Sequence, residues 1–190
     1  MKSYQASAAF TLPRFLNTLG LAGICVVLGF AFAWQFAYNE LPCPLCLLQR
    51  VAFILVGVGF LLNARFGSSP LHYGVIILSA LGGAFAAGRQ TLLHIGPGDA
   101  GYGSPFLGLH FYTWAFVAFV LIIIFCALLL MIDRAQSVLS SSASPNVFVR
   151  LVMWVFLLLV AANGVSTLLE CGFGACPDNP TNYLWLKQTL

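Results

Sequence analysis

The sequence predicts an all-α membrane protein, a polytopic helical bundle, on three observations. Apolar residues make up 61% of the 190 residues and charged residues only 7%, a balance from which no water-facing surface can be built. Five apolar runs each approach the roughly 20 residues that a helix needs to cross a hydrocarbon core of about 30 Å. None alternates with period two, and lipid offers backbone groups no partner outside their own segment, so helices are expected over a barrel.

The first span is expected over residues 15 to 38. Lys2 and Arg14 before it, with Ala31-Phe32-Ala33 inside it, imitate a secretory leader and its cleavage site, but residues 15 to 39 carry no charge and the run outlasts a leader's apolar core. The second, 45 to 63, follows the break from Asn39 to Pro42. The third, 71 to 93, follows Gly67-Ser68-Ser69-Pro70 and carries Gly82, Gly83, Ala84, Ala86, Ala87 and Gly88, small residues that allow close helix approach. A glycine-rich stretch from Gly96 to Pro105 leads to the fourth, 109 to 132, and Ser140 to Pro145 leads to the fifth, 148 to 169, with a tail of 170 to 190. The short connections leave little room for a soluble domain, so the chain reads as one transmembrane domain, 1 to 190, with its chemistry in the membrane or at its edges.

Charge placement orients the spans. Lys2, Arg14, Arg65, Arg134 and Arg150 fall on the side of the N-terminus, and Glu40, Asp99, Glu170 and Asp178 on the other. The N-terminus is therefore expected in the cytoplasm, and an odd number of spans puts the C-terminus outside. Lys187 in the tail and Arg50 and Arg89 near outer span ends run against this bias. The two arginines lie inside apolar runs, where a charge points to function over topology. Trp34, Tyr38, Tyr112, Trp114, Tyr183 and Trp185 all fall at the outer interface, where amphipathic rings prefer to sit.

Six cysteines divide by position. Cys25 and Cys126 sit mid-span and read as small packing hydrophobes. Cys43, Cys46, Cys171 and Cys176 share the outer face, where two structural disulfides are the plain reading. The Cys43-Pro44-Leu45-Cys46 spacing argues for more, because a bond across two residues closes a tiny ring, gains little from loop entropy and exchanges readily. Pro44 suits the first helical position, which sets Cys43 near the N-cap, where the positive dipole end favours a thiolate. Cys46, Gln49 and Arg50 fall at i, i+3 and i+4, so a guanidinium stands about one turn below Cys46, able to stabilise a thiolate or grip an acceptor oxygen. Snorkelling to the headgroups would take Arg50 outward past the cysteines. Four thiolates would suffice in number for zinc, but the neighbouring cation makes that set an odd choice, and no metal site is expected.

Outer-face Cys43-Pro44-Leu45-Cys46 at the start of span two, followed by Gln49-Arg50, resembles the disulfide bond formation protein B (DsbB) family of bacterial inner-membrane thiol:quinone oxidoreductases. Gly88-Arg89-Gln90 and His94 at the outer end of span three are also similar to that family, and the resemblance covers roughly residues 15 to 132, its four-span core. It implies catalytic cysteines at Cys43 and Cys46, quinone contacts from Arg50 and His94, ubiquinone or menaquinone as acceptor, and a periplasmic thioredoxin-fold (DsbA-like) dithiol oxidase as partner. It also implies the bacterial inner membrane, with no nucleic-acid partner.

The chain departs from the family in one place. The family's second cysteine pair belongs to the loop between spans three and four, yet residues 95 to 108 contain none, and Cys171-Gly172-Phe173-Gly174-Ala175-Cys176 follows a fifth span instead. Cys171 and Cys176 are taken to replace the loop pair, with Gly172 and Gly174 supplying turns and mobility for exchange. The expected relay runs from a soluble dithiol to Cys171–Cys176, then to Cys43–Cys46, then to a quinone facing Cys46. Three other readings stay open: a vitamin K epoxide reductase relative, which would carry its active pair on the last helix of its core; an outward conduit of reductant using Cys25 and Cys126; and a non-enzymatic scaffold stapled by outer disulfides.

Overall fold

The computed structural model describes residues 12–136 and 147–185; Lys2, the Ser140 to Pro145 linker and Lys187 lie outside the described residues. Five helices follow in order: α1 Leu12–Tyr38, α2 Pro44–Phe66, α3 Pro70–Leu93, α4 Phe111–Gln136 and α5 Val147–Cys171. All five are long and apolar enough to cross a membrane. They begin and end within a few residues of the expected spans, and the deviations have local causes. Asn39 takes φ 52°, the left-handed conformation that asparagine tolerates and that ends helices such as α1. Ser69 caps α3 by accepting from the Leu71 amide at 3.3 Å, with Pro70 directly behind it. Gly67 at φ 96° turns the chain between α2 and α3 and donates its N–H to Asn63 O at 3.0 Å.

Helix α2 is central. It packs against α1 on one side and α3 on the other; α4 closes on α3, and α5 lies against α1 and α2. Leu21, Ile24, Leu28, Val56, Phe60, Ile76, Phe119 and Phe156 form the buried core, while Val26, Leu78, Phe85 and Leu158 stand on the outside, where a bilayer would solvate them. Close approach depends on glycine. A Cβ on Gly83 would sit 2.3 Å from the Phe119 ring, which itself stacks on Phe53 with centroids 4.0 Å apart, so part of the small-residue run in span three serves the α3–α4 contact.

Gly57 does the same for the fifth helix, since a Cβ there would meet Phe156 of α5 at 2.3 Å. Gly57→Ala is therefore expected to destabilise the bundle by about 1–3 kcal/mol through overpacking. Gly29→Ala, which meets nothing within 4 Å, should be neutral or mildly stabilising. Thermal unfolding of both variants in detergent checks this, and equal behaviour of the two would refute it.

At the end away from Cys43, polar side chains tie three helices together. Asn17 Nδ2 donates to the Tyr73 hydroxyl at 2.9 Å and Asn63 Nδ2 donates to Asn17 Oδ1 at 2.9 Å, all three residues being fully buried. Arg14 Nε donates to Ala64 O at 2.9 Å, satisfying a carbonyl in the last turn of α2.

Candidate active site

Cys43 is the N-cap of α2, with φ −68° and ψ 163°, and Pro44 takes the next position. Its sulfur accepts from the Cys46 amide at 3.2 Å, as a capping oxygen would. Cys43 and Cys46 form a disulfide with Cα atoms 5.0 Å apart. When that bond is reduced, the N–H groups and dipole of the first turn favour a thiolate at Cys43.

Two cavities meet at this disulfide. Cys46 lines a cavity of about 340 Å³ between α1, α2, α4 and the α3–α4 loop, walled by Phe30, Trp34, Phe106 and Phe111, with Arg50, Gln35, Gln49, Tyr102 and Glu40 as its polar points. Phe30 and Trp114 line it and are also exposed on the bundle surface, so the cavity reaches the lipid-facing side. Cys43 lines a separate, more polar cleft of about 850 Å³ with Arg89, Gln90, His94 and the tail residues Asp178 to Thr181.

Gln90 touches both sulfurs. It is buried, and its Nε2 donates to Cys43 Sγ at 3.3 Å and reaches Cys46 Sγ at 3.7 Å. Gln49 Nε2 fixes its orientation by donating to Gln90 Oε1 at 2.8 Å. A donor held against a sulfur stabilises the thiolate that sulfur becomes when the disulfide opens.

Arg50 reaches from α2 to α1. Its Nη1 donates to Gln35 Oε1 at 2.9 Å and its Nη2 to Ala31 O at 3.3 Å, and its guanidinium stands 5.2 Å from the Phe32 ring centroid. Of the five N–H donors of a guanidinium these bonds use two, which leaves the cation able to donate into the cavity it lines. Gln35 is a junction: its Nε2 donates to Ser166 Oγ of α5 at 3.2 Å and to the Tyr183 hydroxyl of the tail at 3.0 Å. The fifth helix and the tail are thus tied to Arg50 through one buried side chain. Trp34, also on the cavity wall, has a buried indole N–H with no hydrogen-bond partner. An apolar cavity holding a cation and an orphaned donor suits a flat, apolar ligand with carbonyl oxygens.

The α3–α4 loop roofs this region. Glu40 accepts from the Ser104 amide at 3.1 Å and from its hydroxyl, and the Tyr102 hydroxyl donates to Leu41 O at 2.7 Å. Burial pushes the Tyr102 phenol above its usual pKa, so it stays a donor. Gly101 and Gly103, at φ 69° and 72°, make the turns that this clasp requires. His94 lies in the polar cleft, not in the cavity with Arg50, and its Nδ1 pairs with Asp99 at 3.1 Å. The Gly101 amide and then the His94 ring hold the Asp99 carboxyl below its usual range.

Cys171 and Cys176 form the second disulfide, with Cα atoms 4.5 Å apart. Cys171 closes α5 at the same end of the bundle as Cys43, and it is buried. Gly172 adopts φ 61°, the left-handed turn that releases the chain from the helix, whereas Gly174 has no positive φ. Phe173 and Trp185 pack at 5.5 Å, folding the tail back on itself. The sequence reading missed Gln35, Gln90, Trp34 and Glu170 as site residues. The available signal was the rarity of polar groups inside apolar runs, which marks Gln35, Gln90 and Glu170.

Five membrane-length helices carry two cysteine couples, one of them set between a polar cleft and an apolar cavity with its own cation, which are the parts a membrane thiol oxidoreductase needs. The family model described as Disulfide bond formation protein DsbB matches residues 13–103. Disulfide bond formation protein B 1 of Pseudomonas putida is 32% identical over 65% of this chain and 93% of its own length. Disulfide bond formation protein B of Nitrosomonas eutropha is 40% identical over 40% of this chain and 47% of its own, and that of Hahella chejuensis is 40% identical over 45% and 52%. The chain thus spans about half the length of the latter two relatives and nearly all of the first. No solved structure matches it. The chain belongs to the disulfide bond formation protein B family and is an integral membrane protein.

Proposed function

We propose that this protein is a membrane thiol:quinone oxidoreductase that reoxidises a soluble, thioredoxin-fold dithiol protein and passes the electron pair to a membrane quinone. One observation carries the reading: the Cys43–Cys46 disulfide has one sulfur in a polar cleft and the other in an apolar cavity beside Arg50. The family and the arginines at the opposite end support placement in the bacterial inner membrane, with the cysteine couples on the periplasmic side.

A thiolate of the partner attacks the Cys171–Cys176 disulfide, giving a mixed disulfide that the partner's second thiol resolves. The partner leaves oxidised, and Cys171 and Cys176 are left as thiols. One of these attacks Cys43 Sγ from the cleft side, releasing the Cys46 thiolate toward the apolar cavity, and the other then resolves the mixed disulfide, re-forming the tail bond and leaving Cys43 as a thiolate. Gln90, whose Nε2 reaches both sulfurs, stabilises each thiolate as it forms. A quinone, ubiquinone or menaquinone, supplies the sink for two electrons and two protons. Cys46 faces that acceptor, Arg50 and Trp34 offer donors to its oxygens, and the aromatic walls exclude water. On this reading the acceptor contact belongs to Arg50, and His94 serves the exchange side.

The test is an anaerobic assay in which the purified protein, a reduced thioredoxin-fold dithiol and a short-chain quinone are mixed and quinol is followed. Cys171→Ala with Cys176→Ala is expected to lose partner oxidation to background, while a small dithiol that enters the cleft still drives quinone reduction through Cys43–Cys46. Full turnover with the protein partner in that variant would make the tail pair a mere staple and end the relay.

A further inference from the structure

The fifth helix brings an acid to this site that the relay above does not use. Glu170 is fully buried, and neither of its carboxylate oxygens has a hydrogen-bond partner. An unpartnered buried acid calls for an explanation, since burial without donors is costly for the charged form. Its placement offers one. Ser166 sits one turn earlier on α5 and accepts from Gln35, which in turn accepts from Arg50. Positions i and i+4 share a helix face, so Glu170 faces the same α1–α2 junction. Arg50 and Glu170 interact electrostatically. They form no ion pair, because among the described residues no carboxylate stands within 4 Å of Arg50, whose bonds go to the neutral acceptors Gln35 and Ala31. The charge of Arg50 is thus left open toward the cavity, with Glu170 behind it and Glu40, held by Ser104, on the cavity wall.

We propose that Glu170 is a positioning residue of the acceptor site, acting through Arg50. Ionised, it draws on the guanidinium and competes with the acceptor's oxygen; protonated, it leaves the cation to that oxygen. The other groups around it do not duplicate this role. The loop contributes Tyr102 and the tail Tyr183, phenols rather than acids, α1 contributes the neutral Gln35, and the cavity's own carboxylate, Glu40, is taken up by the Ser104 amide and hydroxyl. Binding and protonation are then reciprocally linked: a bound quinone favours the protonated acid, and the protonated acid favours quinone. This rests on the acceptor reading of the cavity, so the test separates the two.

Trp34 and Trp114 line the cavity, and quenching of their fluorescence reports binding of a short-chain quinone to the oxidised, full-length protein without turnover. Wild-type affinity is expected to fall on the order of tenfold between about pH 5 and about pH 8, the scale of an ordinary coupling between two sites. Glu170→Gln should bind as the wild type does at low pH, with no such slope. A slope that persists in Glu170→Gln, or a wild type with none, overturns the proposal while leaving the acceptor site standing. No quinone bound at any pH by either protein overturns both. Should Glu170→Gln not fold, the infrared difference spectrum of the wild type on adding quinone decides: a rising protonated-carboxyl band is expected near the upper end of that range, and its absence overturns the proposal.

Discussion

Cys46→Ala is expected to lower quinone reduction on the order of a thousandfold or more, to background, whether the electrons come from a protein dithiol or a small one. Cys46 is the cysteine of its couple that lines the apolar cavity, and its removal leaves the acceptor with no sulfur to draw on. Cys43 is untouched in the polar cleft and keeps the Gln90 donor that favours its thiolate. With Cys46 gone, Cys43 can exchange only with the tail couple, and its mixed disulfide with Cys171 or Cys176, which only the released tail thiol can resolve, should be visible on a non-reducing gel after proteolysis between the helices. Turnover within tenfold of wild type would remove Cys46 from the electron path and favour a scaffold.

Arg50→Gln should weaken quinone binding by about 10- to 150-fold, read as a rise in KM with a smaller change in kcat. The range corresponds to one lost charge-assisted hydrogen bond of about 1.5–3 kcal/mol. Arg50→Lys should recover little, because a point charge cannot span the Gln35 and Ala31 acceptors and still present a donor to the cavity. An unchanged KM in Arg50→Gln would mean that the cation only braces α1 against α2.

Much of this was legible in the sequence because it follows from length and local order. Five apolar runs gave five helices, and Pro44 announced the N-cap at Cys43. The i+4 step from Cys46 put Arg50 in the same cavity. What could not be read was the set of partners across helices. Gln35 meets Arg50, Ser166 and Tyr183, which are 15, 131 and 148 residues away along the chain. Gln90 reaches Cys43 across 47. Such contacts depend on the rotation of each helix about its axis, and runs apolar on every side carry little periodic signal to fix that rotation. His94 illustrates the same limit. Its position along α3 was right, near the cysteine end, but which of two neighbouring cavities it lines was decided by helix phase and by the Asp99 contact.

The clasp of Glu40 on Ser104 and Tyr102 on Leu41 has a bearing on which oxidants the protein can use. It shuts the greasy chamber on the aqueous side, whereas Phe30 and Trp114 leave it bordering the acyl chains. A hydrophilic electron acceptor would have to unfasten that lid to reach Cys46, while a prenylated one slips in laterally. On the proposed reading the fold would discriminate by oil solubility before any chemistry begins, and a lipid-dissolved pool, not whatever dissolves in the surrounding fluid, would set the pace at which new sulfur bonds are made.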